Sequence, residues 1–115
     1  MAERTGLAIG REEREGAIIL KPEGDVDMSC SPALRDAIRR AQDARPKRLV
    51  VDLSAVEYMD SSGLATLVEA MKVARGQKAA LVLCNMSAKV RAIFEIARLH
   101  HYFTITGTVD DAMIG

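Results

Sequence analysis

The chain has 115 residues, of which 49% are hydrophobic and 28% charged, so it can bury a core without disulfides or a metal and is expected to form one domain, residues 1–115. Its 16 basic and 16 acidic side chains leave no formal net charge, which excludes a global field that recruits nucleic acid or an anionic membrane. Apolar runs are far shorter than the ~20 residues of a membrane span, and no signal-peptide core follows the N-terminus, so a cytoplasmic protein is expected.

The first predicted elements are two strands joined by a polar turn. A charged run at residues 11–15 separates two short apolar stretches, and Gly16 ends the run. Because glycine beside a polar run is typical of a turn, the sequence predicts an antiparallel hairpin over residues 6–13 and 16–22, with the charges at its tip. Pro22 cannot donate to a strand ladder, so it should end the second strand or place it on an edge.

A helix-start signal comes next. Hydroxyl residues Ser29 and Ser31 precede Pro32, and a hydroxyl cap followed by proline in the first turn is typical of a helix N-terminus. The apolar positions that follow at helical spacing are Leu34, Ala37, Ile38 and Ala41. This pattern predicts a helix over residues 32–43 with one buried stripe.

The rest of the chain alternates apolar, β-branched runs with helix-period segments. The predicted strands are 49–53, 79–84 and 102–105, and the predicted helices are 62–75, 88–99 and a stub at 109–114. Gly76 should end the helix over residues 62–75 in a left-handed conformation, and Ser87 should cap the helix over residues 88–99. The order β-β-α-β-α-β-α-β predicts an α/β fold whose mixed sheet opens with a hairpin and continues with parallel strands.

Acidic and hydroxyl residues follow several of these strands. Asp52 closes a strand, residues 60–62 (Asp-Ser-Ser) lie in the loop after it, and Asp25 and Asp27 follow the hairpin. Since parallel strands send their carboxyl ends to one edge of a sheet, these residues should gather on one rim. Ser61 there would stand at a helix N-terminus, where free N–H groups and the helix dipole favour a phosphate. On local physics alone, the segment is more typical of an ordinary helix cap.

The segment over residues 52–64, Asp-Leu-Ser-Ala-Val-Glu-Tyr-Met-Asp-Ser-Ser-Gly-Leu, closely resembles the signature of STAS domains of the anti-sigma-factor antagonist family. The resemblance covers nearly the whole chain, including the opening hairpin, the Gly-Asp-Val-Asp turn at residues 24–27 and the passage at residues 82–94. It implies that the chain is a single STAS domain with the mixed sheet predicted above.

The resemblance also implies a function. In antagonists the first serine of the pair is phosphorylated by a partner anti-sigma factor that is a serine kinase, and Ser61 matches it; Asp60, Ser62 and Asp27 match further motif positions. The unphosphorylated chain is then expected to bind the kinase and release its client. Phosphorylation of Ser61 dissolves that complex until a PP2C-type phosphatase removes the phosphate and restores the binding form.

The expected partner-binding residues are Asp25, Asp27, Met28, Met59, Asp60, Ser61, Ser62, Gly63 and Leu64. Within this set, Met28, Met59 and Leu64 are predicted to form an exposed apolar rim around the serine, because docking needs buried area as well as a hydroxyl. A bulky residue at position 63 is expected to impair docking more than stability.

Catalysis by the chain itself is not expected, because it has neither a Gly-x-Ser-x-Gly elbow nor a phosphate-binding P-loop, so ATP must come from the partner. No cofactor or metal is expected: the adjacent His100 and His101 lack Cys or acidic partners at ligand spacing. Cys30 and Cys84 have no C-x-x-C spacing and should be reduced, packed thiols.

Two alternatives use the same residues differently. Asp52 at a strand end is superficially similar to the phosphoaspartate of a receiver domain, but the opening hairpin and the lack of a lysine after the last strand argue against that fold. The other alternative keeps the STAS fold without the switch: an interaction module in a transport or scaffold complex, in which Ser61 belongs only to a helix cap.

Overall fold

The computed structural model describes residues 7–114, which form one five-stranded sheet with four helices. The strands are β1 Ala8–Arg14, β2 Ala17–Glu23, β3 Arg48–Asp52, β4 Ala80–Cys84 and β5 Thr104–Thr106. The helices are α1 Ser31–Asp43, α2 Ser61–Gly76, α3 Ala88–Ile96 and α4 Val109–Ala112. The strands lie in chain order; β1 and β2 pair antiparallel, and every later neighbour pairs parallel. The predicted mixed fold is confirmed.

Alternating side chains of the central strands supply two hydrophobic clusters, one on each face of the sheet. Leu49 and Val51 of β3 belong to the larger cluster, which includes buried residues of α1, α2 and α3. Val50, between them, belongs to a smaller cluster with Ala112 of α4. The three long helices therefore cover one face, and the short α4 contributes to covering the other.

The hairpin differs from its prediction, because most of the charged run lies in β1 and the turn holds only Glu15 and Gly16. Both turn residues have positive φ, 52° and 84°, as a tight two-residue hairpin turn requires. Arginine and glutamate two positions apart share a face of a strand, and the run forms two such ion pairs, 2.8 and 2.9 Å long. Residue 6, also expected in the first strand, lies outside the described residues.

Pro22 is the second-last residue of β2, in a portion that pairs with β1 alone. The pairing of β2 with β3 ends at Leu20. Proline thus lies where only one neighbouring strand is present, in keeping with its missing N–H donor.

The predicted hydroxyl cap of α1 is wrong. The N-cap is Cys30, whose side chain makes no capping hydrogen bond, although Pro32 does lie in the first turn. The Ser29 hydroxyl, a candidate cap, donates instead to the Asp27 carboxylate at 2.6 Å. The thiol of Cys30 donates to the Asp25 carbonyl at 3.0 Å.

Two helix ends also differ from expectation. Gly76 is the last helical residue of α2 rather than a left-handed glycine, and Lys78 takes the left-handed conformation with φ 57°. Helix α3 ends at Ile96, three residues early, because Arg98 turns left-handed and the Leu99 N–H donates back to the Phe94 carbonyl at 2.8 Å. The predicted Ser87 cap is confirmed, since its hydroxyl accepts from the Val90 N–H at 3.1 Å.

The first turn of α2 packs tightly on the segment that precedes it. Val26 and Met59 form an isolated parallel β-bridge, and Gly63 lies against both side chains. A Cβ at position 63 would lie 2.5 Å from Cγ of Met59 and 2.8 Å from Cγ1 of Val26. Only glycine allows this approach without a shift of buried atoms. Gly63 therefore allows a close approach inside the chain, and its effect on docking stays a prediction.

Replacing Gly63 with alanine should therefore lower the free energy of unfolding by about 1–3 kcal/mol, the usual cost of overpacking. Gly76→Ala is the matched control in the same helix, because a Cβ there meets nothing within 4 Å, and it should be neutral or stabilising by up to about 1 kcal/mol. Urea denaturation of both variants measures the difference. Equal stabilities would contradict the packing role of Gly63.

Candidate functional site

The candidate site is built where the turn after β2 meets the loop before α2. The Val26 N–H donates to the Tyr58 carbonyl, and the Asp60 N–H donates to the Val26 carbonyl, each at 2.9 Å. These bonds hold the turn containing Asp25 and Asp27 beside the start of α2. The structure thus brings the two groups of acidic residues together, as the sequence predicted.

Asp60 is the N-cap of α2. One oxygen of its carboxylate accepts from the Ser62 N–H at 2.8 Å, from the Ser62 hydroxyl at 2.6 Å and from the Gly63 N–H at 3.3 Å. These donors, the Ser62 hydroxyl foremost, hold the pKa of Asp60 below its usual range. Asp60 is therefore an anion at neutral pH, and the cap is complete without Ser61.

Ser61 is the first residue of α2 and is exposed. Its hydroxyl makes no hydrogen bond with any residue between 7 and 114. Ser62, in contrast, is half-buried, and its hydroxyl donates to Asp60. The two neighbouring serines differ in availability: Ser61 presents a free hydroxyl to solvent, whereas Ser62 is part of the cap.

Asp27 repeats the geometry of Asp60 in the adjacent turn. One of its carboxylate oxygens accepts from the Ser29 N–H at 2.9 Å and from the Ser29 hydroxyl at 2.6 Å. The pKa of Asp27 is lowered, with the Ser29 hydroxyl as the main cause. The Met28 N–H also helps to lower the pKa of Asp60. Two ionised carboxylates thus belong to the surface that carries Ser61.

Asp52 does not join them. It ends β3, but its side chain alternates with Leu53 and faces the other side of the sheet, where it lines a groove with Lys21 and Asp110. Its carboxylate accepts from the Asn85 side-chain amide and from the Ser54 N–H, both at 3.0 Å. The expectation that Asp52 lies with the serines is wrong. The strand order places Asp52 at the predicted edge of the sheet, but its position in β3 directs its side chain to the opposite face.

A groove of about 460 Å³ runs beside Ser61 between the start of α2 and helix α3. Its apolar lining residues include Tyr58, Leu64, Ile93, Ile96 and Ala97. Tyr58 is 46% exposed and Ile96 84% exposed, and sequence reasoning identified neither. Ile96 does carry a signal in the sequence, because it falls outside the stripe of Val90 and Phe94 that α3 buries.

The predicted apolar rim is only partly correct. Met28 is 75% exposed, as expected, but Met59 is 1% exposed and Leu64 only 9%. Met59 lies beneath the first turn of α2 in contact with Gly63, so it supports the surface from inside. The exposed apolar groups around Ser61 are Met28, Tyr58 and Ile96.

The two cysteines are buried and unpaired, as predicted. Burial, with a smaller contribution from Asp52, raises the pKa of the Cys84 thiol to about 12, so it is not a reactive thiolate. Among residues 7–114, no three His, Cys, Asp or Glu side chains are placed to hold a metal ion together. No helix in the same range is long and apolar enough to cross a membrane.

Comparison with known proteins decides the family: the STAS domain profile matches residues 8–112. The chain belongs to the STAS domain family. The anti-sigma-B factor antagonist of Listeria monocytogenes is 36% identical over 76 residues, which are 66% of this chain and 67% of that protein. The anti-sigma-F factor antagonist RsfB of Mycobacterium tuberculosis is 28% identical over the full chain and 93% of its own length.

A solved structure extends the likeness to three dimensions. The crystal structure of an anti-sigma factor antagonist from Mycobacterium paratuberculosis superposes on this STAS domain with a TM-score of 0.87. The two are 26% identical, and the match covers 98% of this chain and 96% of the other. The homologues of this STAS domain thus include binding regulators of sigma-factor systems.

The capping role of Asp60 predicts a pH-dependent loss of stability. Asp60→Ala should lower the free energy of unfolding at pH 7 by about 1 kcal/mol, a typical value for an N-cap. Because the folded pKa lies below the unfolded value of about 3.9, the carboxylate contributes fully above about pH 4 and loses its contribution as the pH falls through the folded pKa. The difference in the free energy of unfolding between wild type and variant should therefore become smaller in acid.

Urea denaturation between pH 7 and pH 2.5 measures this gap. Asp25→Ala is the control, because Asp25 is an exposed aspartate of the same surface whose carboxylate accepts no hydrogen bond from residues 7–114. It should change stability by less than about 0.5 kcal/mol. A gap for Asp60→Ala that stays constant with pH would contradict the role of the ionised carboxylate.

Proposed function

We propose that this STAS domain is an anti-sigma factor antagonist that binds a serine-kinase anti-sigma factor through the surface around Ser61 and is switched off when that kinase phosphorylates Ser61. The observation that supports this most directly is the contrast between the free, exposed hydroxyl of Ser61 and the bonded hydroxyl of Ser62. The named functions of the Listeria and Mycobacterium relatives support the same conclusion. The domain acts as a binding regulator and not as an enzyme.

The proposed docking surface consists of Met28, Tyr58, Ser61 and Ile96, with the groove between the last three. Tyr58 and Ile96 supply exposed apolar area on either side of the groove, and aromatic anchors dominate the energetics of many interfaces. Asp25, Asp27 and Asp60 give the same surface its negative charge. Met59, Gly63 and Leu64 hold it in place, and Ser62 completes the cap.

Phosphorylation would act through charge. The kinase transfers the γ-phosphoryl group of its own ATP to the Ser61 oxygen, takes up the hydroxyl proton and releases ADP. A PP2C-type phosphatase later hydrolyses the ester with water, which frees phosphate and regenerates the Ser61 hydroxyl. A phosphoserine adds about −1.5 to −2 charges at neutral pH. The N-terminus of α2 stabilises negative charge within the fold, but the ionised Asp27 and Asp60 already make the surface anionic. A partner face shaped for a neutral hydroxyl would therefore be repelled.

The first test is intact-mass analysis of the chain after incubation with its anti-sigma kinase and ATP. The wild type should gain one phosphoryl group, Ser61→Ala should gain none, and Ser62→Ala, the control, should remain a substrate. Ser61→Ala should still bind the kinase, because it removes no hydrogen bond within residues 7–114. Phosphorylation that persists in Ser61→Ala would move the modified residue elsewhere.

A wild-type chain that binds its partners but never gains a phosphoryl group would favour the other role: a STAS interaction module without a switch. The Asp60 cap is complete without Ser61, which is compatible with that role too. The mass measurement separates the two functions.

The apolar part of the docking surface can be tested by truncation. Tyr58→Ala and Ile96→Ala should each weaken kinase binding about tenfold or more, equivalent to at least 1.4 kcal/mol. Val73→Ala is the control: Val73 is also exposed but lies on α2 about 18 Å from Ser61 along the helix axis, and its truncation should leave affinity unchanged. Calorimetry measures all three. Equal affinities across the set would place the docking surface elsewhere.

A further inference from the structure

The two walls of the groove beside Ser61 follow different strands. One wall, residues 58–64, belongs to the connection from β3 into α2, and the other is helix α3, which follows β4. The width of the groove therefore depends on how the connections after β3 and β4 are held relative to each other.

Helix α3 has few anchors of its own. Of its nine residues only Val90 and Phe94 are buried. The Phe94 ring packs edge-on against Phe103, with ring centroids 5.7 Å apart. A helix held along one short stripe can tilt about that stripe unless its N-terminal end is fixed.

A carboxylate oxygen contributes that fixation, beside the backbone bond from the Leu53 N–H to the Cys84 carbonyl at 2.9 Å. The same Oδ1 atom of Asp52 accepts from the Ser54 N–H and from the Asn85 side-chain amide, both at 3.0 Å. Ser54 is the second residue of the connection from β3, and Asn85 lies two residues before Ser87, the cap of α3. Asp52 is only 8% exposed, and a hydrogen bond shielded from water is electrostatically stronger than one in solvent. The bond thus joins the two segments that carry the walls.

Asn85 is well suited to its place. Its φ is 58°, in the left-handed region where asparagine is much commoner than most residues. The backbone turn directs the chain from β4 toward α3, while the side chain reaches the carboxylate of Asp52. Neither residue lines the groove.

We propose that Asp52 and Asn85 are positioning residues that fix α3 relative to the Ser61 loop and so keep the docking groove at the width the kinase recognises. This inference rests on the proposed function. Because neither residue lines the groove, breaking their bond should weaken docking and leave phosphoryl transfer within the bound complex unchanged. The effect should fall on KM and not on kcat.

Asn85→Gly tests the proposal, because glycine keeps the left-handed backbone without strain and removes only the side-chain donor. With the kinase that phosphorylates the wild-type chain, this variant should show a KM raised about five- to tenfold, the effect of one lost hydrogen bond, and a kcat within twofold of wild type. Asp52→Asn is the conservative control: its amide oxygen can still accept both bonds, so its KM should stay within twofold. Asp52→Ala should behave like Asn85→Gly, and the double variant should be no worse than either.

Amide hydrogen exchange gives a readout that needs no kinase. In Asn85→Gly the amides of α3 should exchange at least fivefold faster, and those of α2 should not change. Any of three results for Asn85→Gly would overturn the proposal. These are an unchanged KM, a kcat that falls in the same proportion as kcat/KM, and faster exchange in both helices. If the kinase does not phosphorylate the wild type, the proposed function fails. Independently of that result, unchanged exchange in α3 of Asn85→Gly would show that the Asp52–Asn85 bond does not fix this helix.

Discussion

The surface of this STAS domain depends on one close contact, between Gly63 in the first turn of α2 and the bridged side chains of Val26 and Met59. Successive helical residues are about 100° apart around the axis, so burying residue 63 turns residue 61 about 200° away, toward solvent. The same contact encloses Met59, and because neighbouring side chains of an extended segment alternate, Tyr58 points outward. The placement of the free hydroxyl and of its aromatic neighbour thus follows from the absence of one Cβ.

The order of elements was predictable because hydrophobic spacing changes clearly between strands of period 2 and helices of period 3.6. The hairpin boundary was not, because an Arg–Glu run reads as a loop by composition, although it also suits an exposed edge strand that alternates charges on each face. Helix ends depended on competition between hydrogen-bonding groups. By sequence, Ser29 is a good candidate cap for α1, but its hydroxyl donates to Asp27 instead. That contact depends on the path of the turn, which the sequence pattern does not give.

At the candidate site, the sequence was sufficient to predict the roles of the polar residues but not which apolar residues are exposed. Asp60 and Ser62 could be assigned to a cap from their spacing alone. Tyr58 and Met59, in contrast, are adjacent and both apolar enough to be buried, and only the bridge to Val26 determines which of them faces inward. Asp52 shows the same limit, since alternation shows that it shares a face with Val50 but not which face the long helices cover.

The Ser61 hydroxyl makes no bond within residues 7–114, and this has a consequence for the lifetime of the protein. A phosphoryl group on that oxygen would break no internal hydrogen bond, and the field at the N-terminus of α2 would offset its repulsion from Asp27 and Asp60, so the free energy of unfolding would change little. Proteases in the cell act mainly on unfolded molecules, and they would degrade both forms at similar rates. The total amount of the protein would therefore stay constant while its phosphorylated fraction changes. Dephosphorylation would then restore the unmodified form without new protein synthesis.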